Sequence, residues 1–441
     1  MNLRARSRPS QEIAAEDLRW QAQTLLDAGF RLTLVSAHRP TPDKGHRVVY
    51  LFTAPLPDRR IELVIRTEPG IDTVPSLALL TLAAGRFERD LYDTHDILAS
   101  SATPYRSADI GITRSGSPRA ASAPRRWEPQ AVGRRLNALL PRVERAVPDS
   151  GVSHAVSLCL AIEDAYDRPV PTSVAAARAI VIELERALSH LDSIAVMCAG
   201  AGLPRWAAEA IALRRQVLQL NYEISGHRLL RGAVVPGGVR LRGLPSGAHL
   251  CALDAAAASL VDAVVASPAV RQTYRGRWLL TRSHVAMTGA LGCVARASGI
   301  DIDARRDHPF HPATARVAPV TSDRGDALAR LEVRAGELAT GLQLLHALLP
   351  DARPAIDIAP AAFYPEEADE SLRGIGLAEG PHGTIAHRLE VSPGGRVAGL
   401  RTVDPSFLTR SVLTVSQRGP HDEHGSMVEP GFDLPPRELM D

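Results

Sequence analysis

Between Gln130 and Pro350 apolar residues recur at helical spacing almost without interruption, and this run constrains the fold more than any other feature of the chain. Val152 to Tyr166 reads as one helix, closed by Asp167-Arg168-Pro169. Thr172 or Ser173 is placed to cap a long second helix through Met197, which Gly200-Ala201-Gly202 ends. Pro204 to Tyr222 and Leu250 to Ala266 make two more, the latter with alanine-rich faces suited to close packing. A fifth, Asp323 to Leu349, carries the stripe Leu328, Leu331, Val333, Leu338, Leu342 and Leu345. Long helices joined by short loops specify an antiparallel bundle.

The flanks are different. Glu12 to Ala28 has helical spacing (Ile13, Leu18, Leu25, Leu26) and stops at Gly29, whereas Arg31–Ala37, Arg47–Phe52 and Arg60–Arg66 alternate as strands. Val74 to Tyr92 returns to a helical pattern. Ala99 to Pro129 is rich in Ser, Ala, Pro and Gly and, between Ser100 and Trp127, sets Arg106, Arg114, Arg119, Arg125 and Arg126 against the single acid Asp109, which marks a basic linker. Near the other end, Gly383 to Arg401 alternates around Pro393-Gly394-Gly395 as a β-hairpin. The expected class is therefore α+β: a small α+β domain over residues 1–98, a basic flexible linker over 99–129, a helical domain over 130–410 with a small β-hairpin near its end, and a loosely ordered tail over 411–441.

Charge and cysteine content narrow the chemistry. Fifty-one basic residues against 49 acidic ones leave a net charge of +2, so no overall field favours nucleic acid or an anionic surface. One lysine, Lys44, stands among the basic residues; the rest are arginine. No apolar run approaches 18 residues, and Met1 to Glu12 lacks the apolar core of a secretory signal, so a cytoplasmic location is expected. Cys159, Cys198, Cys251 and Cys293 lie 39, 53 and 42 residues apart, which excludes a sequence-local zinc or iron–sulfur site. Gly374-Ile375-Gly376 with Gly380 has the wrong spacing for a dinucleotide loop, and His421-Asp422-Glu423-His424 sits in a Pro-flanked tail rather than a framework that would hold a metal.

Several motifs carry a family resemblance. Phe87-Glu88-Arg89-Asp90-Leu91-Tyr92-Asp93 resembles the signature of the smaller quinone-module core subunit of respiratory complex I. Gly226-His227-Arg228-Leu229-Leu230-Arg231-Gly232 followed by Val235-Pro236-Gly237-Gly238-Val239, the helix bearing Glu183, Glu185, Arg186 and His190, and Leu291 to Asp303 with Arg305-Arg306-Asp307 are similar to the partner core subunit. That partner is related to the large subunit of nickel–iron hydrogenases. Glu379-Gly380-Pro381 and Val403-Asp404-Pro405 fit in order. The two-part arrangement resembles the fused large subunit of energy-converting hydrogenases such as formate hydrogenlyase, and it implies a helical domain of hydrogenase-large-subunit type.

The resemblance also exposes what is missing. In the hydrogenases two CxxC pairs supply the thiolates that hold nickel and iron. Glu144-Arg145-Ala146-Val147-Pro148-Asp149-Ser150-Gly151-Val152-Ser153-His154 keeps the frame of the first pair but puts Val147 and Ser150 at the thiol positions, and no cysteine follows Asp404-Pro405. Hydrogen activation at nickel is thereby excluded, and no metal is expected. The quinone loop of complex I, with its histidine, has no counterpart between Leu98 and Pro141, where Tyr105 is the sole tyrosine.

The resemblance implies a nickel-free core subunit of a membrane-associated oxidoreductase complex of the NADH-quinone oxidoreductase or hydrogenase type. It would lie on the inner face of the cell membrane, beside a small iron–sulfur subunit and membrane-embedded antiporter-like subunits, with no nucleic-acid partner. The chain itself would bind no cofactor, the iron–sulfur cluster lying in a partner and quinone being the candidate ligand of the shared cavity. The alternative is a catalytically degenerate structural subunit of such a complex. His154, Arg145, Glu144 and Asp149 are the candidate catalytic residues, His154 being otherwise a helix-end histidine and the other three an ordinary solvated turn. Glu183, Arg186 and His190 share a helix face at i, i+3 and i+7 and suit a structural ion pair. Arg231, Pro236, Gly237 and Gly238, with Arg296, Asp303, Arg305, Arg306 and Asp307, are expected to lock loops or meet a partner.

Overall fold

The computed structural model describes residues 9–38, 45–55, 58–100, 128–357, 370–409 and 412. Most of the basic linker and of the tail, including His421 to His424, lies outside the described residues. The chain falls into two units, Met1–Ala120 with Ala286–Ala290, and Ala121–Val285 with Leu291–Asp441.

The first unit is built on a four-stranded sheet of order β1-β4-β3-β2, from β1 (Ser10–Glu12), β2 (Arg31–His38), β3 (Arg47–Ala54) and β4 (Arg59–Arg66). The last three pair antiparallel and β1 runs parallel to β4. The helix expected from Glu12 begins only at Leu18 (α1, Leu18–Asp27), because Ser10–Glu12 takes an edge of the sheet instead. The helix expected from Val74 likewise starts late, as α2 (Leu82–His95). Thr73–Pro75 (β5) pairs with Leu98–Ser100 (β6), a position where the missing N–H of Pro75 costs little. Glu88 of α2 holds the intervening turn, its buried carboxylate accepting from Ser76 Oγ at 2.8 Å and Leu77 N at 2.6 Å. Burial pushes that carboxyl above its ordinary range.

The second unit is the expected helical bundle. After the short α3 (Glu128–Ala131) and α4 (Leu140–Ala146) come α5 (Gly151–Ala165), α6 (Thr172–Gly200), α7 (Pro204–Ser225) and α8 (Gly247–Ala266). Short helices α9 (Pro268–Tyr274), α10 (Arg282–Thr288), α11 (Gly292–Arg296) and α12 (Ala304–Asp307) lead to α13 (Ala327–Ala352). Helix α6 packs between α7 and α13, and α13 also meets α8. Helix α6 is capped by neither Thr172 nor Ser173: its N-cap is Pro171, with no side-chain cap. Where a cap does form, Asp326 and Ser246 accept from Ala329 N and His249 N, which stops α13 and α8 from fraying. Helix α8 is long and apolar enough to cross a bilayer by length and composition, although His249, Asp254 and Asp262 interrupt its apolar sequence.

The hairpin near the end is part of a three-stranded antiparallel sheet, β9 (Leu372–Gly380), β10 (Gly383–Val391) and β11 (Val397–Val403). The glycines that imitate a dinucleotide loop belong to β9. They let the strand lie directly on α5: a Cβ on Gly374 would come within 1.8 Å of Ala161 O, and one on Gly376 within 1.8 Å of Ser157 O. Sheet, α5, α6 and α13 enclose the residues that carry the candidate site.

Candidate functional site

The bundle core holds charge. Glu183 and Arg186 of α6 are one turn apart and in contact (Arg186 Nε to Glu183 Oε2, 3.1 Å), and both are buried. Arg186 also donates to the Gly380 and Glu379 carbonyls at 3.0 and 2.7 Å. One further turn along, His190 Nε2 lies 3.0 Å from Glu337 Oε2 of α13. Glu337 accepts from Arg296 Nε of α11 at 2.6 Å, and Arg296 Nη1 reaches Glu379 of β9 at 2.8 Å. Arg305 closes the ring on Asp303 at 2.7 Å and on Glu183 at 3.2 Å. These contacts join four buried carboxylates to three buried guanidiniums. Burial alone would raise Asp303 and Glu337, but Arg305 and Arg296 hold Asp303 down at about 2, and Arg296 with His190 holds Glu337 well below its ordinary range. Glu379 goes the other way, raised by burial and by the neighbouring Asp303.

Arg296, Asp303 and Arg305 thus face one another inside the unit rather than solvent, because each cation meets a carboxylate, and the buried Asp307 accepts from the Asp303 amide at 3.0 Å. Arg306 sits at the rim on Asp301 and Asp307, both at 2.8 Å. Glu337 and Glu379 did not stand out in the sequence as site residues. The usable signal was the face Glu183-Arg186-His190, which needed a charged complement from another element.

A second cluster lies at the start of α5. His154, fully buried, places Nε2 2.9 Å from Asp404 Oδ2, and its ring meets that of His387 edge-on with centroids 5.3 Å apart. It is therefore no exposed helix-end residue. His387 Nδ1 lies 3.0 Å from Ser157 Oγ, and burial, then the neighbouring His154, keeps its imidazole neutral well below the usual pKa. Glu185 accepts from Val152 N, Ser153 N and Ser153 Oγ, capping α5 from a neighbouring helix. Burial raises its carboxyl.

The four candidate catalytic residues do not converge. Glu144 is buried and accepts from Gly232 N at 2.9 Å, while Arg145 and Asp149 are exposed. Burial raises the Glu144 carboxyl, and the Gly232 amide and the half-buried Arg231 offset this only in part. The Pro236-Gly237 turn joins β7 (Val234–Val235) to β8 (Gly238–Val239), Gly237 having φ of 75° as the third residue of such a turn requires. The Arg178–Glu163 pair clamps it: Arg178 Nη2 donates to Val235 O and Glu163 Oε1 accepts from Gly237 N, both at 2.8 Å.

The nickel–iron group does not fit. The first thiol pair is replaced by Val147 and Ser150, and the positions after Asp404-Pro405 with the same spacing are Ser406 and Thr409 of α14 (Ser406–Thr409). Among the described residues Ser150 Oγ, Thr409 Oγ1 and His154 Nδ1 are buried without a hydrogen-bond partner. Hydroxyls and a carboxylate are hard donors and an imidazole is a borderline one, and none of them is the soft thiolate that nickel and low-spin iron require.

Asp404 carries a measurable consequence. Burial pushes its carboxyl up, but the hydrogen bond and charge of His154, with the Ser406 amide, outweigh it and hold the group at about 2. The folded value lies below the unfolded one, so the stabilisation is present above roughly pH 4 and is lost as pH falls toward 2. Asp404→Asn is expected to cost about 2 kcal/mol at pH 7, with the difference from the parent closing between roughly pH 4 and 2 in urea titrations.

Comparison with known proteins agrees with this architecture. Residues 206–420 match the family model described as the respiratory-chain NADH dehydrogenase, 49 Kd subunit. Formate hydrogenlyase subunit 5 of Escherichia coli is 28% identical over 44% of this chain and 35% of its own length. An NADH-quinone oxidoreductase subunit of Streptomyces coelicolor is 31% identical over 45% of this chain and 54% of its own. The matches thus span roughly a third to a half of those relatives. A chain from the structure of the membrane-bound sulfane sulfur reductase, an archaeal respiratory membrane complex, superposes with a TM-score of 0.61 at 19% identity, over 71% of this chain and 87% of that one. Residues 206–420 are thus similar to the 49 kDa subunit of the respiratory-chain NADH dehydrogenase, and the chain carries no cysteine at 147, 150, 406 or 409.

Proposed function

We propose that the chain is a nickel-free core subunit of a membrane-associated complex I-like or energy-converting oxidoreductase. The observation that carries this reading is the absence of cysteine from all four thiol positions, at 147, 150, 406 and 409, in a chain that keeps the flanking Glu144-Arg145, His154 and Asp404-Pro405. Residues 1–98 would serve as the module that resembles the smaller core subunit, fused in one chain. Electrons would pass through an iron–sulfur cluster in a small partner subunit, with membrane-embedded antiporter-like subunits completing a complex on the inner face of the membrane. The His154–Asp404 pair, with its buried second imidazole at His387, would stand beside a quinone cavity and hold a proton for the reduced oxygen.

The test is to purify the chain with the products of neighbouring genes and measure metal content and quinone reduction. Quinone reduction without nickel, lost in His154→Ala, is the expected result. Stoichiometric nickel overturns the reading. A complex that assembles around the chain but reduces quinone equally well with His154→Ala favours the alternative, a structural assembly subunit.

A further inference from the structure

Three donors of the charged core meet where no sequence motif joins them. His190 comes from α6, Cys293 from α11 and Glu337 from α13, and all three are at most 1% exposed. Glu337 Oε2 is the common point, 3.0 Å from His190 Nε2 and 3.5 Å from Cys293 Sγ, and all three ligand atoms lie within 4.8 Å of one another. Tetrahedral zinc bound at its usual lengths would set an N···O pair about 3.3 Å apart and an O···S pair about 3.6 Å apart. The two spacings to Glu337 need to open by only a few tenths of an ångström, and the nitrogen and sulfur, within 4.8 Å of each other, need to settle at about 3.6 Å.

We propose that His190, Cys293 and Glu337 form a site for a divalent metal of zinc type, separate from the positions that hold nickel and iron in the related hydrogenases. The donor set of one imidazole, one thiolate and one carboxylate selects a borderline cation over calcium or magnesium, which take oxygen ligands. Glu337 Oε1 stays with Arg296 Nε at 2.6 Å, an outer partner that fixes the carboxylate while Oε2 faces the metal. Arg186, 3.9 Å from Oε2, is held back by Glu183 and the Glu379 and Gly380 carbonyls.

Charge also balances. Glu183, Asp303, Glu337 and Glu379 outnumber Arg186, Arg296 and Arg305 by one within this set. A dication held by the Cys293 thiolate adds one positive charge on balance and so offsets that surplus. Three protein ligands leave a fourth position for a small molecule such as water. Because the site is enclosed, loading would accompany folding.

The experiment uses the full chain bearing Cys251→Ser, His421→Ala and His424→Ala, which removes the exposed thiol and the tail histidines as competing ligands. It is expressed with zinc or cobalt(II) supplied during synthesis. One ion per chain is expected, with a near-ultraviolet thiolate-to-cobalt band that Cys293→Ser abolishes and a melting temperature lowered by chelator. His190→Gln, which keeps the thiol, should lose zinc to background while retaining the fold. A metal-free parent overturns the proposal without recourse to any variant, and so does a cobalt band that survives Cys293→Ser.

Discussion

Arg296→Met is expected to destabilise the second unit by about 3–5 kcal/mol, enough to prevent folding of many domains. The guanidinium is fully buried and answers Glu337 at 2.6 Å and Glu379 at 2.8 Å. Removing it leaves two carboxylates facing each other in an environment that cannot solvate them, and the cost is the desolvation of the charge left behind rather than the worth of one ion pair. Urea unfolding of the variant measures it. The double change Arg296→Met with Glu337→Gln should recover part of the loss, because it withdraws one of the two orphaned charges. A double variant no more stable than Arg296→Met alone would show that the charge pairing is not what the core depends on.

Gly376→Val is expected to be comparably severe for a different reason. A Cβ there would sit 1.8 Å from Ser157 O and 2.7 Å from Ala161 N, both backbone atoms of α5. Neither can move without breaking the helix or lifting the strand, so the change should exceed the roughly 1–3 kcal/mol of ordinary overpacking. Gly394, in the turn before β11, has open space around its Cβ direction, and Gly394→Ala should stay within about 0.5 kcal/mol of the parent. Parallel thermal melts of the two variants make the comparison, and a tolerated Gly376→Val would contradict the packing of β9 on α5.

These two positions show why part of the molecule was legible in advance and part was not. The helices were, because each buries one stripe and the 3.6-residue period of that stripe is printed along the chain: Leu328, Leu331, Val333, Leu338, Leu342 and Leu345 of α13 are all buried. The strands of the first unit were legible for the same reason at a period of two. The β9 strand was not. Gly374, Gly376 and Gly380 have no side chains to display a period, and their role is the absence of a Cβ against α5, which only the neighbour reveals. Local competition also escaped the pattern, as when Ser10–Glu12 joined the sheet instead of extending α1.

Among the site residues, Glu183, Arg186 and His190 could be grouped because a single helix presents them on one face. Their partners could not, since Glu337 lies 147 residues beyond His190 and Asp404 lies 250 beyond His154. Glu144, Arg145 and Asp149 are neighbours in sequence, yet only Glu144 is buried.

By itself the sequence determined the helical bundle, the alternating strands and the loss of thiols at 147 and 150, because periodicity and ligand chemistry are properties of residues taken in order. Tertiary structure decided which charges neutralise one another and which histidine meets which carboxylate. An ion pair is selected by distance in space and by the water excluded around it, and neither quantity is written along the chain.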